Sequence, residues 1–210
     1  MLPDVSRESF AHETGLSNVS RESLDKLTHY LALLEKWQRA VNLVSPSTLP
    51  DAWNRHFVDS AQLGALLDEE KTVLFDFGSG AGFPGMVLAI LYPQLAVHLV
   101  ESDQKKCSFL STVSRETNTS VSIHNCRVEA LVTDAVPDII TARALADLGK
   151  LLGYALPWAQ KNPALTLLLP KGENYTNELK EIGPGRFAQC EEFPSKTDEK
   201  ARILRISGLK

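Results

Sequence analysis

The stretch DFGSGAGFPG at residues 76–85 directly follows the apolar run 73–75, and a second apolar run, 96–100, ends in Glu101. Glycines tolerate positive φ angles and carry no Cβ, so their repetition here predicts a sharp turn that brings the backbone against a ligand. A strand, a glycine turn, a helix and a second strand that ends in an acid describe half of a nucleotide-binding α/β fold. We therefore expect the functional site where these two strands end.

Two overlapping patterns in this stretch predict different cofactors. Gly80-x-Gly82-x-x-Gly85 matches the dinucleotide fingerprint, whose glycines let a pyrophosphate approach a helix N-terminus. Asp76 stands two residues before the first glycine, where its carboxylate would repel a pyrophosphate but would suit a cofactor that carries an ammonium and a sulfonium. The stretch therefore favours S-adenosylmethionine, with Glu101 accepting hydrogen bonds from the ribose diol. A glycine turn needed only for packing is the third interpretation.

The composition is that of a globular protein with one catalytic domain and a small extension. The chain has 210 residues, 43% of them hydrophobic, enough to bury a full core. No apolar stretch reaches the roughly 18 residues of a membrane span, and the N-terminus lacks the features of a signal peptide, so we expect a cytoplasmic protein without membrane contact. The cysteines are scattered without the spacing of a metal site or a disulfide framework, which predicts buried free thiols at Cys107, Cys126 and Cys190. The net charge of −4 argues against chain-wide attraction to nucleic acid but leaves room for a local basic face.

The N-terminal third of the chain has a helical pattern. Residues 1 to about 18 show no useful period and are interpreted as a loosely held lead-in. Apolar residues spaced by three, four and seven predict an amphipathic helix over about 20–40, and a second helix is expected over 49–67. We therefore divide the chain into a helical extension, 1–70, and a catalytic domain, 71–210.

After residue 70, short apolar runs alternate with helical segments. Strands are predicted near 73–77, 96–101, 121–125, 138–142, 165–170, 186–193 and 201–207, and helices near 84–92, 104–117, 147–160 and 173–181. This alternation predicts a mostly parallel sheet covered by helices on both faces, with right-handed crossovers. The last two strands have no helix between them, so one of them is expected to run antiparallel to the rest. Asp103 is the expected N-cap of the helix that follows it, and Pro157 is expected to interrupt or end its helix.

The glycine stretch and six other motifs together resemble one protein family. The motifs are Trp37…Val41-Asn42-Leu43, Arg55-His56-x-x-Asp59-Ser60, Glu101-Ser102-x-x-Lys105-Lys106-x-x-Phe109-Leu110, Arg127-Val128-Glu129, Arg143-Ala144 and Lys171-Gly172. In this order they resemble the RsmG (GidB) family over about residues 30–205. One departure is Thr141-Ala142-Arg143-Ala144, where the family usually shows Ser-Arg-Ala.

The resemblance implies both a fold and an activity. The family consists of bacterial enzymes that transfer a methyl group from S-adenosylmethionine to N7 of a guanine in 16S ribosomal RNA. The implied fold is an α/β, Rossmann-like class I methyltransferase with a mostly parallel seven-stranded sheet and an N-terminal helical extension. The implied partner is 16S ribosomal RNA or the small ribosomal subunit, and we expect a monomer that needs no metal.

The resemblance also implies roles for individual residues. Cofactor contacts are implied at Gly78, Phe83, Val128, Glu129 and Arg143, of which Val128 and Glu129 would meet the adenine. The glycine stretch and the strand that ends in the acid add Asp76, Gly80 and Glu101 as further candidates. Arg143 would also lie near the reacting centre as a positioning residue, since guanine N7 carries a lone pair and no proton and its methylation needs no general base. A structural ion pair between Arg143 and Asp138 or Asp147 is the competing interpretation.

Recognition of RNA is expected from the helical extension and from basic residues near the cleft. N7 lies on the base edge that an A-form helix hides in its deep, narrow groove, so the target guanine should lie in a loop or be splayed out of the stack. Candidate RNA contacts are Arg55 and Arg202 first, and then Lys36, Asn42, His56 and Lys171. Trp37 and Trp53 could stack on a base, but core anchoring is the favoured interpretation.

Three other functions fit parts of the pattern. A small-molecule methyltransferase would share the cofactor half and enclose its substrate in a deep pocket under the N-terminal helices. An oxidoreductase dependent on NAD would follow the dinucleotide fingerprint, although the chain lacks room for a second nucleotide-binding half. An RNA-binding assembly factor could retain the cofactor fold without catalysis.

Overall fold

A seven-stranded sheet forms the centre of the protein, as seen in a computed structural model that describes residues 6–17, 19–68 and 70–210. The spatial order of the strands is β3-β2-β1-β4-β5-β7-β6. Their bounds are β1 (Val73–Phe77), β2 (Ala96–Glu101), β3 (Ser122–Asn125), β4 (Ile139–Ala142), β5 (Thr166–Lys171), β6 (Gln189–Pro194) and β7 (Arg202–Ser207). The first five strands are parallel, whereas β7 is antiparallel to both β5 and β6. The predicted sheet and its terminal hairpin are therefore confirmed.

Seven α-helices accompany the sheet in the described part of the chain. They are α1 (Arg7–Thr14), α2 (Arg21–Gln38), α3 (Asp59–Ala61), α4 (Gly85–Leu91), α5 (Gln104–Glu116), α6 (Leu148–Lys161) and α7 (Tyr175–Ile182). The helix predicted over 49–67 is a series of short pieces, in which a π-helical segment, Trp53–Val58, leads into α3 and then into a 3₁₀ segment, Gln62–Leu66. The last segment contains Gly64, where the ring of Tyr92 leaves no room for a Cβ.

The expectation of a loosely held lead-in over residues 1–18 is wrong for residues 6–17. Ser6 caps α1 by accepting a hydrogen bond from the backbone of the first turn, and Phe10 is fully buried. The Phe10 ring lies 5.5 Å from that of Trp53. One aromatic side chain therefore docks this short helix, and a single anchor produces no periodic pattern in the sequence. The remainder of that lead-in lies outside the described residues.

Two predictions about helix ends have opposite outcomes. Asp103 caps α5, because its Oδ1 accepts hydrogen bonds from the amides of Lys105 and Lys106 at 2.8 and 3.1 Å. Pro157 neither interrupts nor ends α6, which continues past it to Lys161. The apolar face of α6 is buried on both sides of the proline, through Ala155 and Trp158, so packing outweighs the lost hydrogen bond.

Two hydrophobic cores lie on opposite faces of the sheet. Alternate side chains of a strand point to opposite faces, so Leu74 packs in the first core while Phe75 and Phe77 pack in the second. The first core contains apolar side chains of α1, α2, α4 and α5, and the second contains those of α6. The N-terminal helices thus share a core with the sheet, and a division near residue 70 stays a prediction. None of the described helices has the length and apolarity needed to cross a membrane.

Candidate functional site

The glycine stretch forms a tight loop between β1 and α4. Gly78, Gly80 and Gly82 have φ angles of 65°, 57° and 93°, in the region where a side chain is strained. A Cβ on Gly82 would also lie 2.6 Å from the hydroxyl oxygen of Tyr30. The backbone conformation therefore favours glycine at all three positions, and Gly82 is also required by the close approach of Tyr30 from α2.

Asp76 supports this loop from beneath. Its side chain is fully buried, its Oδ2 accepts a hydrogen bond from the Gly85 amide at 3.1 Å, and its Oδ1 accepts one from the Thr141 hydroxyl at 3.0 Å. Burial raises the pKa of Asp76 to about 6, although these hydrogen bonds and Arg143 act in the opposite direction. Asp76 is not among the residues that line the cleft described below, so the structure does not bring its carboxylate to the position expected for a direct cofactor contact.

Glu101 braces the loop from the end of β2. Its Oε2 accepts a hydrogen bond from the Gly80 amide at 2.8 Å, and its Oε1 accepts one from the Asp103 amide at 2.7 Å. The side chain is buried but lines the cleft. A carboxylate oxygen can accept two hydrogen bonds, so both oxygens of Glu101 keep capacity for a diol.

A cleft of about 1570 Å³ lies over the carboxyl ends of β1, β2, β4 and β5. Parallel α/β sheets bind ligands at this edge. The cleft is lined by seven of the eight predicted cofactor residues, namely Gly78, Gly80, Phe83, Glu101, Val128, Glu129 and Arg143. Pockets for small molecules typically measure about 300–1,000 Å³, so this cleft is larger than a single small ligand requires. In the described part of the chain, no group of three or more His, Cys, Asp or Glu side chains is arranged to hold a metal ion.

Arg143 lines this cleft and is held in a fixed orientation. Its guanidinium carbon lies 5.1 Å from the centroid of the Phe83 ring. One terminal nitrogen donates hydrogen bonds to Asp59 Oδ2 and to the carbonyl oxygen of Arg55, both at 3.2 Å, and the other donates to Nδ1 of His56 at 3.0 Å. A residue that follows β4 is thus clamped by the π-helical segment Trp53–Val58 and by the first residue of α3.

Arg143 forms its ion pair with Asp59. Asp59 belongs to the motif Arg55-His56-x-x-Asp59-Ser60, but the sequence did not indicate a role for it. Pairing with Asp138 or Asp147 was the expected alternative, and it is wrong. Asp138 accepts hydrogen bonds from the backbone before and at the start of β1, and Asp147 accepts one from the amide of Lys150 in the first turn of α6. Both carboxylates are therefore engaged elsewhere.

His56 is a neutral part of the same cluster. Arg143 can only donate hydrogen bonds, so Nδ1 of His56 is an acceptor and the proton of the neutral ring is on Nε2. Nε2 donates to Thr48 Oγ1 at 2.9 Å. Burial lowers the pKa of His56 to about 3, and the charges of Arg143 and Arg55 add to this effect. His56 lines the cleft but brings no positive charge to an RNA phosphate.

The structure separates the other predicted RNA contacts into two groups. Arg55, Arg202 and Lys171 line the cleft, whereas Lys36 and Asn42 are exposed outside it. Arg55 has a loose ion pair with Asp198 at 3.7 Å, and Arg202 donates hydrogen bonds to the carbonyl oxygens of Glu199 and Ala201. Lys171 is 9% exposed and lies 2.6 Å from Glu178, so its charge is largely compensated.

The remaining aromatic candidates are packed inward. The Trp37 ring lies 5.7 Å from Phe109, and the Trp53 ring stacks on Phe57 at 5.2 Å. Both tryptophans pack against the first core, which agrees with core anchoring rather than base stacking.

Sequence reasoning missed one polar residue beside the adenine candidates. The hydroxyl of Tyr154 donates a hydrogen bond to Glu129 Oε1 at 2.8 Å, and both residues line the cleft. Tyr154 lies in α6 four residues after Lys150, which also lines the cleft. This spacing on one helix face was the available signal, but only the fold brings α6 against the segment around Glu129.

Comparison with protein families gives a match over most of the chain. A family model described as "rRNA small subunit methyltransferase G" matches residues 23–197. Curated relatives carry the name ribosomal RNA small subunit methyltransferase G. One from Parvibaculum lavamentivorans is 44% identical over 209 residues, covering 98% of this chain and 90% of that protein. One from Rhodospirillum centenum is 50% identical over 193 residues, covering 91% and 87%.

Solved structures share the fold at low sequence identity. A crystal structure of a MtNAS mutant in complex with S-adenosylmethionine aligns with a TM-score of 0.58 at 12% identity, covering 98% of this chain and 85% of that chain. A ribosomal protein L11 methylase from Lactobacillus delbrueckii subsp. bulgaricus aligns with a TM-score of 0.56 at 14% identity, covering 72% and 79%. At these identities the likeness shows the fold alone.

Proposed function

The chain belongs to the rRNA small subunit methyltransferase G family, and we infer from this that it transfers a methyl group from S-adenosyl-L-methionine to N7 of one guanine in 16S ribosomal RNA. The observation that carries this inference is the cleft itself. It joins residues suited to an adenosyl cofactor with two arginines, Arg55 and Arg202, and its volume of about 1570 Å³ exceeds what one small molecule fills.

The residues at the end of β1 and β2 fit the cofactor. The position of a Cβ on Gly80 has only the carbonyl oxygen of Gly78 within 4 Å, at 3.8 Å, so a ligand can approach the backbone closely there. Glu101 would accept hydrogen bonds from the ribose hydroxyls, while Val128 and Glu129 would contact the adenine. Asp76 would act through the loop by holding its two ends together. When bound, S-adenosylmethionine supplies the methyl group as an electrophile.

Methyl transfer to guanine N7 depends mainly on the positioning of the base and the cofactor. Guanine N7 has an available lone pair and loses no proton, so no residue has to act as a general base. Phe83 and the guanidinium of Arg143 would form a rigid wall that orients cofactor and base and limits access of water. Their arrangement is fixed before any ligand binds, because Asp59 and His56 hold Arg143. No step requires a metal ion.

The rim of the cleft supports an RNA substrate rather than a small molecule. Arg55, from the helical extension, and Arg202, the first residue of β7, both line the cleft. We propose that they bind backbone phosphates beside the target guanine, with Lys36 and Asn42 as further RNA contacts. The polar groups of His56 and Lys171 are already engaged within the protein. We also propose that the protein acts in the cytoplasm, on 16S ribosomal RNA or the small subunit, and that it is a monomer.

Two assays test this proposal in sequence. Calorimetry is expected to show binding of S-adenosylhomocysteine and no binding of NAD. Tritium transfer from labelled S-adenosylmethionine is expected with undermethylated small subunits or their RNA, and it is expected to fall at least tenfold in Arg143→Ala at saturating cofactor. Binding of NAD in place of S-adenosylhomocysteine would contradict the cofactor, and unchanged transfer by Arg143→Ala would contradict the role of that residue.

A further inference from the structure

We propose that Tyr30, in helix α2, is a positioning residue that fixes the cofactor loop formed by residues 78–83. The inference rests on the proposed function, since it concerns the loop that would hold S-adenosylmethionine. It assigns a role in cofactor binding to a side chain that lies outside the glycine stretch and outside the sheet.

The first contact is a hydrogen bond to the loop backbone. The Tyr30 hydroxyl donates to the carbonyl oxygen of Ala81, which lies between two glycines with positive φ angles. Tyr30 is fully buried, and burial raises the pKa of its phenol well above the ordinary value, so the hydroxyl stays protonated and remains a donor. Gly82 provides the space for this approach, because a Cβ there would collide with the hydroxyl oxygen.

The second contact is between aromatic rings. The Tyr30 ring stacks on Phe83 with a centroid distance of 5.4 Å and an interplanar angle of 10°. The His56 ring also lies nearly parallel to Phe83, at 5.1 Å and 24°, and the edge of Phe57 packs against it at 5.1 Å. The orientation of Phe83, and through it of Arg143, is thus set by side chains of the helical extension.

These contacts reduce the conformational freedom of the glycine loop. A backbone with three left-handed glycines within five residues has many accessible conformations, and ordering it on ligand binding would cost conformational entropy. The hydrogen bond and the ring stack from helix α2 order the loop when the protein folds, so that this entropy is not lost again when the ligand binds. The loop is therefore preorganised, and cofactor affinity depends on Tyr30 without direct contact.

The test removes the hydroxyl and keeps the ring. Tyr30→Phe is compared with Tyr92→Phe, which makes the same change at a half-buried tyrosine. The hydroxyl of Tyr92 packs near Gly64, away from the cofactor loop. Calorimetry with S-adenosylhomocysteine, well below the melting temperature of each variant, measures affinity. We expect the dissociation constant to rise about tenfold in Tyr30→Phe and less than twofold in Tyr92→Phe. In methyl transfer, KM for S-adenosylmethionine is expected to rise while kcat stays within about twofold.

Each outcome has a separate meaning. If Tyr30→Phe binds S-adenosylhomocysteine within twofold of the unsubstituted protein, or loses no more affinity than Tyr92→Phe, the positioning role is wrong. A variant that melts earlier but binds normally at low temperature would likewise contradict the proposal, because the hydroxyl would then serve stability alone. Failure of the unsubstituted protein to bind S-adenosylhomocysteine would instead contradict the proposed function.

Discussion

Arg143 connects parts of the chain that are far apart in sequence. Its guanidinium stacks on Phe83 and is held by Asp59 and His56, which precede it by more than eighty residues. The motif around Asp59 was visible in the sequence, and the position of Arg143 at the end of a strand was predicted correctly. Their pairing could not be predicted, because charges that meet across 84 residues are matched only by the packing of the extension on the sheet.

Asp59→Asn tests whether this clamp matters for catalysis. The substitution removes the ionic partner of Arg143 but keeps a side chain of similar size. We expect kcat/KM for methyl transfer to fall about tenfold, because a freed guanidinium samples other orientations. Asp198→Asn, which removes only the loose partner of Arg55, is the matched control and is expected to change kcat/KM less than twofold. Equal effects of the two changes would contradict the clamp.

Asp76 gives the protein a pH-dependent stability. Its pKa is raised from 3.8 in a free side chain to about 6 in the folded protein, mainly by burial. The folded state therefore holds the proton more tightly than the unfolded state, and the free energy of unfolding contributed by Asp76 falls as the pH rises from about 4 to 6. Above that range its contribution is constant.

Asp76→Asn isolates this contribution. Urea unfolding is expected to show that the free energy of unfolding of the unsubstituted protein falls relative to that of the variant between pH 4 and pH 6, by an amount on the order of 2–3 kcal/mol. Parallel curves for the two proteins across this range would show that burial does not raise the pKa of Asp76.

At the level of elements, the sheet and the long helices were predictable because each has a regular pattern. Strand β1 is a nearly continuous apolar run that is buried on both faces of the sheet, and helix α2 buries apolar residues at helical spacing. Both patterns can be recognised without knowing the neighbouring elements. Helix α1 could not be predicted, since Phe10 alone supplies its large buried side chain. The π-helical segment around His56 was also not predictable, because its shape follows from packing beneath the cleft rather than from propensity.

Phe10→Ala tests whether α1 is part of the core. Phe10 is fully buried against Trp53, so its truncation is expected to cost about 3–5 kcal/mol in the free energy of unfolding. Chemical denaturation followed by tryptophan fluorescence measures this loss. A cost below about 1 kcal/mol would mean that α1 is only loosely attached, as the sequence alone suggested.

At the level of the whole molecule, the proposed cofactor contacts and the proposed RNA contacts of the cleft come from different parts of the fold. The cofactor residues come from loops after the parallel strands, whereas the basic residues Arg55 and Arg202 come from the extension and the terminal hairpin. A net charge of −4 does not prevent RNA binding if positive charge is concentrated on this rim.

Charge reversal on the rim separates RNA binding from cofactor binding. In Arg55→Glu combined with Arg202→Glu, we expect weaker binding to 16S ribosomal RNA and a shallower dependence of the affinity on salt, because fewer counterions are released. Affinity for S-adenosylhomocysteine is expected to be unchanged. Arg21→Glu, at an exposed position outside the cleft to which no RNA contact is assigned, is the control and is expected to have a smaller effect. Parallel loss of both affinities would indicate misfolding rather than an RNA contact.

Mass spectrometric mapping of the reaction product tests the central claim most directly. Undermethylated small subunits are incubated with the protein and S-adenosylmethionine, and the digested 16S ribosomal RNA is compared with a 7-methylguanosine standard. We expect one new 7-methylguanosine at a single position, formed only when protein and cofactor are both present. A methyl group on another atom or another class of molecule, or no transfer by protein that binds the cofactor, would contradict it.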